Sequence, residues 1–298
     1  NHLTEIAGTL LGLYYPEDDV SATIIYESES CRFLVENNDY PTFFKNLCLN
    51  FQFPNGAKWI QFIKEDIEKG LNIKPFCFVV ALLYYAQNQK QKYLLTKQEI
   101  GYYVLNNLDV LKGLVTYQEV YERIISDRTN KIKREKLSGS HDWQHIKEQF
   151  NLLELANIIE TDATYLWLNK DEAPAIKIFL SQSPNITFDC YKYTLETVND
   201  NKAFFFFFRK YYGRFNKELT SLTPVFNTSD IVIIDKDEQK AQGGATKSTV
   251  DLGDEGEALV FRFEQDRVRK YKERLVNKVL LLGKTKGLGY DISSIEAA

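Results

Sequence analysis

The 298-residue chain has no methionine, although several would be ordinary at this length, and only four cysteines and three histidines. Cys31, Cys48, Cys77 and Cys190 stand far apart among hydrophobic residues. That spacing excludes a CxxC pair and a disulfide framework, and it reads as buried thiols in a reducing compartment. No apolar run approaches the roughly 20 residues that cross a bilayer. The N-terminal stretch carries Glu5, Glu17, Asp18 and Asp19 where a signal peptide would carry positive charge. Gly287 and Gly289 lack the rest of a GxGxxG motif, so a dinucleotide fingerprint is excluded as well. These absences predict a soluble cytoplasmic protein without a membrane partner.

What is present is a large apolar and aromatic content, 44% and 14%, enough for two or three domains with real cores. The net charge of -4 would ordinarily discourage nucleic-acid binding, which depends on Lys and Arg against phosphate. Charge is segregated, however. Residues 1–39 hold eight acids against Arg32 alone, while Lys202, Arg209, Lys210, Arg214 and Lys217 occur with no acid between 202 and 217. Segregation of this kind is what a binding face requires.

Residues 1–73 form a mixed acidic segment in which "ATIIYESES" and "LNFQFPNGAKWIQFI" read as strands around a Pro54-Asn55-Gly56 turn. From Lys74 the pattern is helical. "KPFCFVVALLYYAQ" is apolar around most of its circumference and predicts a buried helix from Pro75. "TKQE" at 96–99 and "TYQE" at 116–119 are capping boxes that open two more helices. A fourth is expected from Ser140, with Trp143, Ile146, Phe150 and Leu153 on its inner face. "NIIETDATYLWLN" alternates around Thr161-Asp162-Ala163 as a hairpin, and "PAIKIFL" continues as a short strand. Helices closed by a hairpin give the winged-helix variant of the helix-turn-helix over 74–183. Residues 184–234 read as a second α/β subdomain, in which Phe204 to Phe208 are buried on both sides of a helix ending in Arg209 and Lys210. Residues 235–250, polar and nearly without apolar side chains, read as a linker.

The final stretch, 251–298, contains Gly256-Glu257, Glu264 and Gly289-Tyr290-Asp291-Ile292. In that order they resemble the start of the NO VEIN-like nuclease domains of the PD-(D/E)xK fold. The resemblance implies Asp291 as a metal ligand and catalytic residue, Glu257 as the helix carboxylate beside it, and Mg2+ as the ion that polarises the scissile phosphate. The Glu-x-Lys strand of that fold does not follow Asp291 within the seven remaining residues. The segment is therefore expected to be incomplete, with no cofactor of its own; Mg2+ and dimerisation through the nuclease domain belong to the longer parent. The helical block "KPFCFVVALLYYAQ...LLTKQEIGYYVL...YQEVYERIISDR" with its "LELANIIE...TYLWL" hairpin is similar to the recognition region of type II restriction endonucleases of the BpuJI and AlwI kind. The expected class is mainly α with small β hairpins, an α+β chain of winged-helix DNA-recognition subdomains plus an incomplete α/β PD-(D/E)xK segment.

Double-stranded DNA is the expected partner. Arg128, Lys131, Lys133, Arg134 and Lys136 form the densest basic cluster, with Glu135 opposing, and suit phosphate. Gln144, Lys147 and Gln149 are the polar residues of the expected recognition helix, the kind that reads base edges. Arg209, Lys210 and Arg214 offer a second basic face. Two other classes fit the same helices: a winged-helix regulator or antiphage sensor that does not hydrolyse DNA, and a protein-interaction scaffold.

Overall fold

Ser28 and Asp39 decide the architecture of the N-terminal part. Ser28 Oγ accepts from Cys31 N at 3.0 Å and opens α1 (Glu29–Asn37), which Asn38 closes in the left-handed region at φ 51°. Asp39 accepts from Thr42 N at 3.1 Å and, with Pro41 in the first turn, starts α2 (Tyr40–Asn50). α3 spans Ile60–Glu68. The strands expected in this segment thus reduce to β1 (Tyr14–Pro16) and β2 (Ile25–Glu27), antiparallel with Tyr15 opposite Tyr26. The caps outrank the β-branched composition, because each satisfies backbone donors that a strand would leave to a partner.

The computed structural model describes residues 6–16, 25–56, 60–89, 93–134, 137, 140–193 and 198–220, with 261, 262, 265, 268, 279–281, 292 and 293. α4 (Pro75–Gln87) is buried almost all round, as its composition demands. β3 (Leu95–Thr96) leads into α5 (Lys97–Ile100), which widens into a π-type turn to Leu105, and α6 spans Leu108–Leu111. α7 (Tyr117–Thr129) and α5 both carry complete capping boxes, with Thr116 and Glu119, and Thr96 and Glu99, bonded reciprocally. α8 (Ser140–Leu155) precedes β4 (Ile159–Thr161) and β5 (Tyr165–Leu168), and the sheet order is β3-β5-β4.

"PAIKIFL" is helical, not a strand. It lies in α9 (Ala173–Ser181), where Pro174 occupies the first turn and Ala175, Ile176 and Phe179 fall on one buried face. The residues 184–220 also depart from expectation: their described part has α10 (Val198–Tyr212) and single 3-10 turns, with no strand among the described residues. Phe204 and Phe208 are fully buried one turn apart, Phe205 and Phe206 half-buried, and Phe207 is 42% exposed. The five-phenylalanine run is therefore amphipathic, and one of its rings meets solvent.

One hydrophobic cluster runs from Phe43 and Leu47 on α2 through Phe76 and Val80 on α4 to Phe204 and Phe208 on α10. Each such side chain removed from water contributes about 1.5–3 kcal/mol. This core belongs to a unit of residues 1–160 and 166–234, so the boundaries expected at 73 and 183 fall inside it. The second unit comprises 161–165 and 235–298. Within it β6 (Leu280–Leu281) pairs antiparallel with β7 (Ile292–Ser293), and Val268 and Val279 are buried.

Candidate nucleic-acid interface

α8 separates its residues by face. Ile146, Phe150 and Leu153 are buried, whereas Gln144, His145, Lys147 and Glu148 are exposed. Gln144 donates to Glu148 at 3.2 Å, a weak one-turn bond that a ligand can displace. Gln149 differs from its neighbours: its Oε1 is buried and meets no hydrogen-bond donor among the described residues.

The basic cluster that follows α7 divides in two. Arg128 is committed internally, its guanidinium donating to both carboxylate oxygens of Glu99 at 2.6 Å and to Leu94 O at 2.9 Å. It ties α7 to the capping box of α5. Arg134 donates to Asp127 Oδ2 at 2.6 Å and Tyr103 donates to the same oxygen. Arg134, followed by Tyr103, holds the Asp127 carboxyl below its usual range, while burial pushes the Tyr103 hydroxyl up. Lys131 and Lys133 are exposed. Lys131 sits at φ 55°; the other non-glycine residues with positive φ among those described are Asn38 and Asn157. Asparagine adopts that region at less cost than lysine, so at this helix end, where glycine is favoured, the chain bears some strain to present a cation. Lys136 lies outside the described residues.

The end of α10 forms the second basic face. Arg209 is half-buried over the Phe205 ring at 5.8 Å, its Nε unsatisfied, and burial lowers its pKa. Lys210 is exposed beside Phe206, and Arg214 lies 4.5 Å from the Tyr211 ring centroid. Arg214 is fixed from behind: its carbonyl accepts from Asn46 and Asn50 on α2, each at 2.8 Å, and from Ser30 Oγ at 3.2 Å. Lys210 and Arg214 border an open groove of about 430 Å³ that Thr187, Asp189, Lys192 and Tyr193 also line. Lys192 was not marked by sequence reasoning, since a single lysine in "DCYKYT" has no local pattern; only the fold brings it into one groove with Lys210.

A helix face with Gln144 and Lys147 exposed, followed by a hairpin, in a chain with basic residues after α7 and at the end of α10, is the geometry on which comparison with known proteins bears. Residues 1–205 match the family model described as restriction endonuclease BpuJI, N terminal. The chain belongs to the BpuJI N-terminal restriction endonuclease family. A solved structure of the BpuJ1 endonuclease binding domain, in complex with pyrene- and phenanthrene-modified DNA, is similar to it: 37% identical, TM-score 0.66, covering 72% of this chain and 77% of that one. No protein of curated function matches.

Membership of the BpuJI family covers α1 to α9 and the first half of α10; Arg209, Lys210 and Arg214 lie just beyond the matched residues. Glu257 and Asp291 lie outside the described residues, although β7 begins at the residue after Asp291. Among the described residues no three His, Cys, Asp or Glu side chains gather as metal ligands, and no helix is long and apolar enough to cross a membrane.

Proposed function

We propose that this chain reads a short sequence in double-stranded DNA, as the recognition portion of a restriction endonuclease. The observation that carries this is its place in the BpuJI N-terminal family together with 37% identity to a domain solved on DNA. The strand order β3-β5-β4, with the first strand before the helices and the last two forming a hairpin after α8, supports a winged helix. α8 is then the recognition helix. Gln144 is placed to read base edges in the major groove and Lys147 to meet phosphate or guanine. Lys131 and Lys133, with Lys136, supply backbone contacts, and Gln149 on α8 and Arg134 after α7 complete the proposed set. Arg128 acts in this reading by fixing α5 against α7.

The 251–298 segment is proposed to belong to a Mg2+-dependent phosphodiesterase unit of the parent. Two carboxylates, Asp291 and Glu257, are the hard oxygen donors Mg2+ prefers, and the ion would polarise a scissile phosphate. Dimerisation through that unit, and work in the cytoplasm where free thiols persist, complete the proposal.

The test is duplex affinity across a salt series. Phosphate contacts predict a steep fall, with log K against log salt sloping at about -0.9 per neutralised phosphate. Affinity that is absent at low salt, or indifferent to salt, would favour the protein-interaction scaffold.

A further inference from the structure

Lys74 is the starting point. It caps the N-terminus of α4, is only 3% exposed, and its ammonium has one hydrogen bond among the described residues, to Thr187 Oγ1 at 3.4 Å. No carboxylate pairs with it there. A buried ammonium without a counter-charge is costly, and burial followed by the field of Arg214 lowers the Lys74 pKa, with Cys77 acting the other way. Thr187 is also the wall of the groove that holds Lys192, Lys210 and Arg214. The one carboxylate among its described lining residues, Asp189, is half engaged: it accepts from Tyr191 N at 3.0 Å and lies 3.6 Å from Lys192 Nζ. Three cations therefore line about 430 Å³ of open space against one acid among the described residues, with Lys74 bonded to Thr187 from the buried side and Tyr193 and Tyr211 supplying flat apolar walls.

We infer that this groove is a built site for a single phosphate group, with Lys192, Lys210 and Arg214 as its ligands and Lys74 beneath Thr187 as the buried charge that biases it toward anions. This rests on the proposal that the chain binds DNA for the source of the phosphate, a backbone phosphodiester with its flanking sugar; free phosphate shares the chemistry. The site pins the register of the duplex from a point far in sequence from α8, and so belongs to positioning and not to base reading.

Two arms separate the site from the DNA reading. In the first, the triple variant Lys192→Ala, Lys210→Ala, Arg214→Ala is titrated with duplex DNA across salt. One shared phosphate predicts that the slope loses about 0.9, once, although three cations are removed. In the second, melting is followed with sodium phosphate against sodium chloride at equal ionic strength, without DNA. Wild type gains stability in phosphate beyond the general effect of an excluded anion, and both the triple variant and Lys74→Met keep only that general effect. Lys74→Met is expected to melt no lower than wild type in chloride, because it removes a buried unpaired charge. A slope change in the first arm assigns the site to DNA, and a phosphate gain alone assigns it to free phosphate. An unchanged slope with no phosphate gain overturns the site while leaving DNA binding intact, and a slope loss of two or more overturns the single-phosphate geometry. Wild type that fails to bind DNA yet shows the phosphate gain sinks the DNA reading and keeps the site.

Discussion

Lys131 holds a backbone conformation that glycine adopts freely, at φ 55°. Lys131→Gly is therefore expected to raise stability by about 0.5–1 kcal/mol in denaturant unfolding and, in the same protein, to weaken DNA binding. A loss of stability would contradict the strain at this position, and unchanged DNA binding would remove Lys131 from the phosphate contacts. Asp127 gives a pH prediction. Its carboxyl is held below the usual range by Arg134 and Tyr103, so its stabilising contribution is present above the unfolded value of about 3.9 and is lost as pH falls below it. Asp127→Asn should lower stability at neutral pH and flatten the acid limb of the stability curve, read by unfolding from about pH 5 down to about pH 2. The buried pair Lys45 and Glu172, 2.7 Å apart, is a third case. Lys45→Ala strands a mostly buried carboxylate and is expected to cost about 3–5 kcal/mol. The exposed Arg32 and Glu27 pair, at 2.9 Å, is expected to be worth under about 1 kcal/mol.

Among elements, the capped helices were the legible ones. "TKQE" and "TYQE" announced α5 and α7 because a capping box is a local device, and Thr116→Ala is expected to cost about 1 kcal/mol in thermal or chemical unfolding. α4 was legible from its apolar circumference, and α8 from its three- and four-residue recurrence. α9 was not, since Ile176, Ile178 and Phe179 have strand composition and the deciding features are a proline in the first turn and burial against other elements. α1 and α2 are hidden for a different reason: the features that decide them are single caps, Ser28 and Asp39, ahead of runs with strand-like composition. For the interface, the exposed face of α8 was readable from period alone. That Arg128 is spent on Glu99, 29 residues away, was not, and neither was the meeting of Lys192 with Lys210, because both depend on tertiary neighbours.

At the scale of the whole molecule, a net charge of -4 coexists with a proposed polyanionic partner because charge is distributed by region. The acids of residues 1–39 set the average, while the basic faces after α7 and at the end of α10 set local potential, and only local potential acts within a Debye length of about 8–10 Å. Family membership places DNA recognition within reach of this chain, and the exposed Gln144 and Lys147 of α8 give the proposed reading a physical means. The most direct measurement is selection of bound duplexes from a randomised DNA pool at moderate salt, followed by sequencing of the survivors. One short motif, enriched repeatedly and lost on Gln144→Ala or Lys147→Ala, is the predicted result; a pool that emerges unenriched, from a protein that retains no DNA even at low salt, would contradict DNA recognition as the function of this fold.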